Sequence, residues 1–161
     1  VNTDTAPAEA VLGALPVQRK VGLIGRKSYT LVLTERRLIF ALLTNAMLQQ
    51  AAADAAKAAK ENGAGFWSKL GATASVGFQY HLRYLAMAPE AILAENSDNF
   101  AVENSTVTRI EYRADPRSGD AKEIDRISIY AGENIFLETT FTNERKRVRD
   151  VLRQLFGARF R

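Results

Sequence analysis

Two pairs of bases, Arg19-Lys20 and Arg26-Lys27, enclose the short run Val21-Gly22-Leu23-Ile24-Gly25. Cations held this close together suit an anionic headgroup, each contributing about 1 kcal/mol near an anionic membrane. Arg36 and Arg37 follow in the next polar stretch and would enlarge the patch if they faced the same way. The plainer reading is a solvated basic loop, since charged loops are usually only hydrated. A second contact surface is offered by Phe66, Trp67, Tyr80 and Tyr84, with Lys69 and Arg83 among them. Aromatic rings beside bases suit a bilayer interface or a partner protein. The same stretch carries Trp67, Leu70, Ala74, Phe78, His81 and Leu85 at three- and four-residue spacing, which is more simply a packed helical face, with contact to a second copy a third reading.

Catalytic chemistry finds little support. His81 is the sole histidine and lies on that apolar stripe, where a packed, hydrogen-bonded ring is the simplest reading. The acidic segment Asp115 to Asp125 lacks the alternating ligands of an EF-hand loop and contains Arg117 and Lys122, so it reads as a hairpin loop. There is no cysteine, which removes thiolate nucleophiles, disulfides and cysteine-bound zinc. No phosphate-cradling glycine loop or nucleophile–base set stands out. The expectation is a protein that is not an enzyme, with no metal and no cofactor.

The elements that would position these residues follow from periodicity. Tyr29 to Leu43 is the clearest stretch: Leu31 and Leu33 alternate with Thr30, Val32 and Thr34, the polar Thr34-Glu35-Arg36-Arg37 interrupts, and Leu38 to Leu43 resumes. That pattern predicts two antiparallel strands and a tight connection. Glu9 to Val17 predicts a strand before them, closed by Pro16 and the polar Gln18-Arg19-Lys20, with Val21 to Ser28 a loop or short edge strand. The period then becomes helical. Asn45 to Asn62 is rich in alanine and stops at Asn62-Gly63, and Phe66 to Met87 predicts a second helix packed against it. Pro89 opens a short helix over Glu90–Glu95. Strands return near Phe100–Val102, Thr106–Arg113, Ile124–Tyr130 and Asn134–Phe141. A final amphipathic helix buries Val148, Val151, Leu152, Leu155 and Phe156, with a side-chain cap near Thr142-Asn143-Glu144 and an end at Gly157.

Composition bounds the remaining possibilities. The chain has 161 residues, 47% of them apolar, and a net charge of +4. That length suits one domain spanning 1–161. From Asn143 to Arg161 there are seven bases against Glu144 and Asp150, so this segment is +5 and everything before it sums to −1. Basic character belongs to one terminal element, which argues against a broad nucleic-acid-binding face. The sequence carries neither a signal-peptide pattern nor a long uncharged apolar run, so a cytoplasmic protein, at most peripheral to a membrane, is expected. It starts at Val1, compatible with a piece of a longer protein.

The segment Tyr29-Thr30-Leu31-Val32-Leu33-Thr34-Glu35-Arg36-Arg37-Leu38-Ile39-Phe40 resembles the second and third strands of the pleckstrin-homology superfold, and in particular its prokaryotic PH-like and GRAM-like members. Phe100-Ala101-Val102 leading to Ser105–Tyr112 resembles their strand after the insertion point, and Arg145–Phe156 their terminal helix. The resemblance covers about two thirds of the chain. It implies an α+β fold: a strongly bent antiparallel sheet or barrel, a C-terminal capping helix, a core at 9–44 and 97–158, and a helical-hairpin insertion at 45–96 between the third and fourth strands. It also implies a basic cluster on the first two strands for anionic ligands. Here Arg19, Lys20, Arg26 and Lys27 occupy that loop, but Ser28 stands where a Lys/Arg-x-Arg element would place a second arginine. The function expected is a non-enzymatic binding or scaffolding module acting on a protein partner, itself, or a membrane surface. The alternative is a lipid- or small-ligand-binding domain using the basic loop.

Overall fold

The computed structural model describes residues 8–62, 80–115 and 123–161. Seven antiparallel strands form one sheet: β1 (Val11–Val21), β2 (Gly25–Thr34), β3 (Arg37–Leu42), β4 (Phe100–Glu103), β5 (Arg109–Arg113), β6 (Asp125–Tyr130) and β7 (Asn134–Thr139). Their order across the sheet is β4-β3-β2-β1-β7-β6-β5. The helices are α1 (Asn45–Asn62), α2 (Pro89–Ala94) and α3 (Arg145–Phe156), and a 3₁₀ helix spans Tyr80–Ala86. The fold is α+β, with a C-terminal helix packed on the sheet.

β1 is longer than its sequence suggests. Pairing with β2 carries it through Pro16 and the polar Gln18–Lys20 to Val21, which faces Gly25. Proline lacks the N–H that a ladder needs. Pairing between β1 and β7 is accordingly confined to Gln18 opposite Glu138 and Arg19 opposite Leu137. Just beyond that short ladder, the Thr139 hydroxyl donates to the Pro16 carbonyl at 2.7 Å.

β2 is buried on both faces from Tyr29 to Thr34, and each face serves a different core. Tyr29, Leu31 and Leu33 join Leu15, Ile110, Ile127 and Leu152 in the main core. Because β2, β3, β5 and β6 all contribute to that cluster, the sheet bends back on itself around it. Phe40 and Phe100 stack within it at 4.5 Å, and Tyr29 meets both edge-on. On the opposite face, Val32, Ile39 and Ala41 pack beneath Tyr84 and Ile92. The 3₁₀ helix and α2 thus cover the outside of the β2–β3 ribbon. Of the helix expected over Phe66–Met87, residues 80–86 are 3₁₀ and the remainder up to 79 lies outside the described residues. The expected loop at Asp115–Asp125 likewise falls largely on 116–122, outside them.

Two polar clusters fix the ends of the sheet. Asn104 donates its side-chain N–H groups to the carbonyls of Thr34 and Glu35 at 3.0 and 3.1 Å, holding the β2–β3 turn. At the start of β6, Asp125 is wholly buried and accepts two hydrogen bonds from Arg145, both at 2.7 Å, and one from the Tyr112 hydroxyl at 2.7 Å. Arg145 opens α3, where no side-chain cap forms; a 3₁₀ turn at Thr142–Glu144 leads in instead. From there Val148, Leu152 and Phe156 descend one face into the core, and Gly157 ends the helix at φ +52°. After it the chain lies against β5: Arg161 donates to Ile110 and Tyr112 donates to Arg161, both at 2.9 Å. Phe160 thereby forms a parallel bridge with Ile110.

Burial pushes the Asp125 carboxyl up, but the Arg145 guanidinium and the Tyr112 hydroxyl outweigh it and hold it below the usual carboxylate range. A depressed native value means that its stabilisation is complete above about pH 4 and is lost as pH falls through that lower value. Arg145→Ala should cost about 3–5 kcal/mol in urea unfolding, because it strands a buried charge. Its acid-unfolding limb should also move to higher pH, since burial would then act unopposed.

Candidate functional site

The β1–β2 hairpin gathers the features that could contact a partner. Val21 and Gly25 close the ladder, and Gly22, Leu23 and Ile24 make the turn. Gly22 sits at φ +64°, a conformation that residues with a Cβ rarely adopt. A Cβ on Gly25 would lie 2.5 Å from the Val21 carbonyl oxygen, so a side chain there forces the backbone to shift. The two glycines permit a turn that points its intervening side chains outward. Leu23 and Ile24 are fully exposed, at 104% and 99%, and Val21 beside them is partly so at 41%. A single exposed aliphatic is ordinary. Three within four residues at a hairpin tip form a small apolar prow. Its only signal in the sequence is the glycine at either end of Leu23-Ile24.

Behind the tip, strand alternation sorts the four bases onto two faces. Lys20 faces Arg26 in register on one side, and Arg19 faces Lys27 on the other. The first pair converges on Glu138 of β7, with Lys20 Nζ at 3.3 Å and Arg26 Nη1 at 2.8 Å. Arg126 of β6 approaches the same carboxylate at 3.8 Å and Asp115 at 3.3 Å. Glu138 is the sheltered member. Burial tends to raise its pKa, but the hydrogen bond from Lys20 and the charges of Lys20, Arg26 and Arg126 hold it below its ordinary value. Lys20 and Arg26 stay about half exposed, so their remaining N–H donors face water. On the opposite face Arg19 donates to Glu133 at 2.7 Å and lies over the Phe100 ring, while Lys27 is 3.8 Å from Asp98. Each of the four bases therefore has a carboxylate partner.

The other expected contacts lie elsewhere. Arg36 and Arg37 are at the far end of β2, roughly 30 Å from the tip by strand rise. Arg36 is exposed. Arg37 is only 17% exposed and is clamped by Glu9, at 2.7 and 2.9 Å, and by Glu90. It ties the lead-in to β1, the start of β3 and α2 together. Tyr84 is buried in the second core; its hydroxyl donates to Glu95 at 2.8 Å, and burial pushes its pKa up to about 12. Tyr80 is partly buried, edge-on to Tyr84, with Arg83 over both rings. These two tyrosines serve packing more than contact. Phe66 and Trp67 lie outside the described residues. His81 is buried with its ring edge-on to Phe141 at 5.6 Å. Among the described residues, no group of three or more His, Asp and Glu side chains is placed to hold a metal ion, and no helix is long and apolar enough to cross a membrane.

No family model and no curated protein matches the chain. Among solved structures, it is similar to the C-terminal domain of an unknown protein from Leishmania infantum. The two share 11% identity, with 92% of this chain and 84% of the other covered, at a TM-score of 0.46.

Gly25→Ala tests whether the glycine-closed turn is obligatory. It should destabilise the protein by about 1–3 kcal/mol, the usual scale for a forced overlap, in denaturant unfolding. Amide exchange should quicken around Lys20–Lys27, while β5 and β6 keep their protection.

Proposed function

We propose that the chain is a PH-like module without catalytic activity, which attaches reversibly to anionic membrane surfaces through the tip of its β1–β2 hairpin. The observation that carries this reading is the pair Leu23 and Ile24, fully exposed and followed on both strands by lysine and arginine. Full burial of such side chains is worth about 1.5–3 kcal/mol each, and each base near an anionic surface adds about 1 kcal/mol. The two side chains alone supply about 3–6 kcal/mol, the scale of the hold of one acyl chain, which is reversible. The PH-like assignment draws support from the strand order, from the bend of the sheet around one core, and from the terminal helix entering that core.

The carboxylates beside every base of the hairpin favour a second reading. Arg19, Lys20, Arg26 and Lys27 are partly offset by three acids, Lys20 and Arg26 sharing Glu138, so the apolar tip is a large part of what the hairpin offers, and it would also suit a pocket on a protein partner. Co-sedimentation with vesicles of increasing phosphatidylglycerol content separates the two. Membrane attachment requires binding that rises with anionic lipid, weakens with salt, and is lost on Leu23→Glu/Ile24→Glu. Absence of binding at low salt would reject it and leave the protein-contact reading, with the same tip as the contact.

A further inference from the structure

Beside the cationic row runs a cleft of about 210 Å³ between β1, the start of α1 and the linker from β7 to α3. Leu43, Leu48, Ile124 and Phe141 give it a mostly apolar lining, and all four are only partly buried. One end is polar. Gln18, Ser28 and Glu138 wall it there. These are the residues next to the bases: Arg26 donates to both Gln18, at 3.3 Å, and Glu138, at 2.8 Å, and Lys20 is 3.3 Å from Glu138. Gln18 and Ser28 form the register pair one step along the ribbon from Lys20 and Arg26, about 7 Å away on the same face. An apolar slot thus ends at Gln18 and Glu138, the side chains that contact two half-exposed cations.

We propose that this cleft binds a single alkyl chain carrying one anionic headgroup. The chain would lie against Leu43, Leu48 and Phe141, and the headgroup would take the free N–H donors of Lys20 and Arg26. Glu138 would act as a positioning residue, holding the two cations while leaving their outer donors open. A cavity of roughly 150 Å³ accommodates benzene, so this one suits a chain of about eight carbons. Charge complementarity decides against a neutral chain: Lys20, Arg26 and Arg126 meet two carboxylates, Glu138 and Asp115, and an added anion meets the one cation in excess. The inference rests on the membrane reading only in using the same cationic row; the cleft itself is separate from the hairpin tip.

The test titrates the full chain with octyl phosphate below its micelle concentration, followed by amide chemical shifts. Octyl glucoside (same chain, no charge) and inorganic phosphate (charge, no chain) are the controls. Octyl phosphate should bind saturably and shift the Ser28, Leu48 and Thr140 amides, with both controls at least roughly tenfold weaker, octyl glucoside for want of two charge contacts and inorganic phosphate for want of the buried chain. Leu48→Glu should abolish binding, and Lys20→Ala/Arg26→Ala should weaken it by a similar factor. Should Leu48→Glu not fold, the double alanine variant carries the test alone. Leu23→Glu/Ile24→Glu should remove vesicle binding and leave octyl phosphate binding intact, so either reading can fail without the other. Equal binding of octyl glucoside, shifts confined to the hairpin tip, or no saturable binding would each overturn the proposal. So would self-association that occupies the cleft and resists octyl phosphate.

Discussion

Asp125 has no contact with water, and a lone carboxylate so placed would be costly enough to oppose folding. It is tolerated because Arg145 reaches it from the first residue of α3 with two hydrogen bonds and Tyr112 reaches it from β5 with a third. The geometry is demanding: α3 must begin at one position and one rotation for both Arg145 bonds to form. That rotation is also the one that turns Val148, Leu152 and Phe156 into the core. Buried ion pairs contribute little beyond their own desolvation cost, and well-packed hydrophobic residues often stabilise as much. The distinctive effect of this pair is to select one docking of the helix, and everything that closes the core depends on that choice.

The β2–β3 ribbon is the second organising element, because it is apolar on both faces and must be covered twice. The bend of the sheet covers one side. The 3₁₀ helix at Tyr80–Ala86 and α2 cover the other, with the Arg37, Glu9 and Glu90 cluster pinning α2 at its first turn. Sequence between β3 and β4 is therefore integral to the fold where it ends, whatever else it does along its length. The candidate site lies away from both covers. It occupies the two strands of the β1–β2 hairpin, where side chains past Val17 and before Tyr29 are exposed or only partly buried.

Much of this was legible in the sequence, and the parts that were not share a physical cause. Alternation in Tyr29–Leu33 and Leu38–Leu42 marked two strands, and the repeated alanines marked α1 at the bounds observed. Such signals are local. Pro16 and Gln18-Arg19-Lys20 read locally as a stop, whereas the partner strand β2 sustains β1 to Val21. Arg37 read as a surface base because its acids, Glu9 and Glu90, are distant in sequence. Tyr80 and Tyr84 read either as a contact surface or as packing, and nothing local shows that it is the ribbon's outer face they cover. Leu23 and Ile24 carry the opposite lesson: aliphatic residues suggest burial, and their exposure follows from a turn whose conformation only Gly22 and Gly25 hint at. The four bases were found as a group, but the period of two divides them between faces, a distinction a linear count does not make.

The short bridge of Phe160 and Arg161 to β5 has a consequence for how the molecule behaves in a crowded solution. β5 is a terminal strand of the sheet, and an unpaired strand edge is a template on which other chains can polymerise. Here two of its backbone groups are already engaged by Arg161, and Phe160 is roofed by the guanidinium groups of Arg149 and Arg153. An incoming strand would have to displace a hydrogen-bonded segment and then approach a positively charged rim. Phe160 and Arg161 therefore shield this stretch of β5 from edge-to-edge pairing, an effect that needs no ligand.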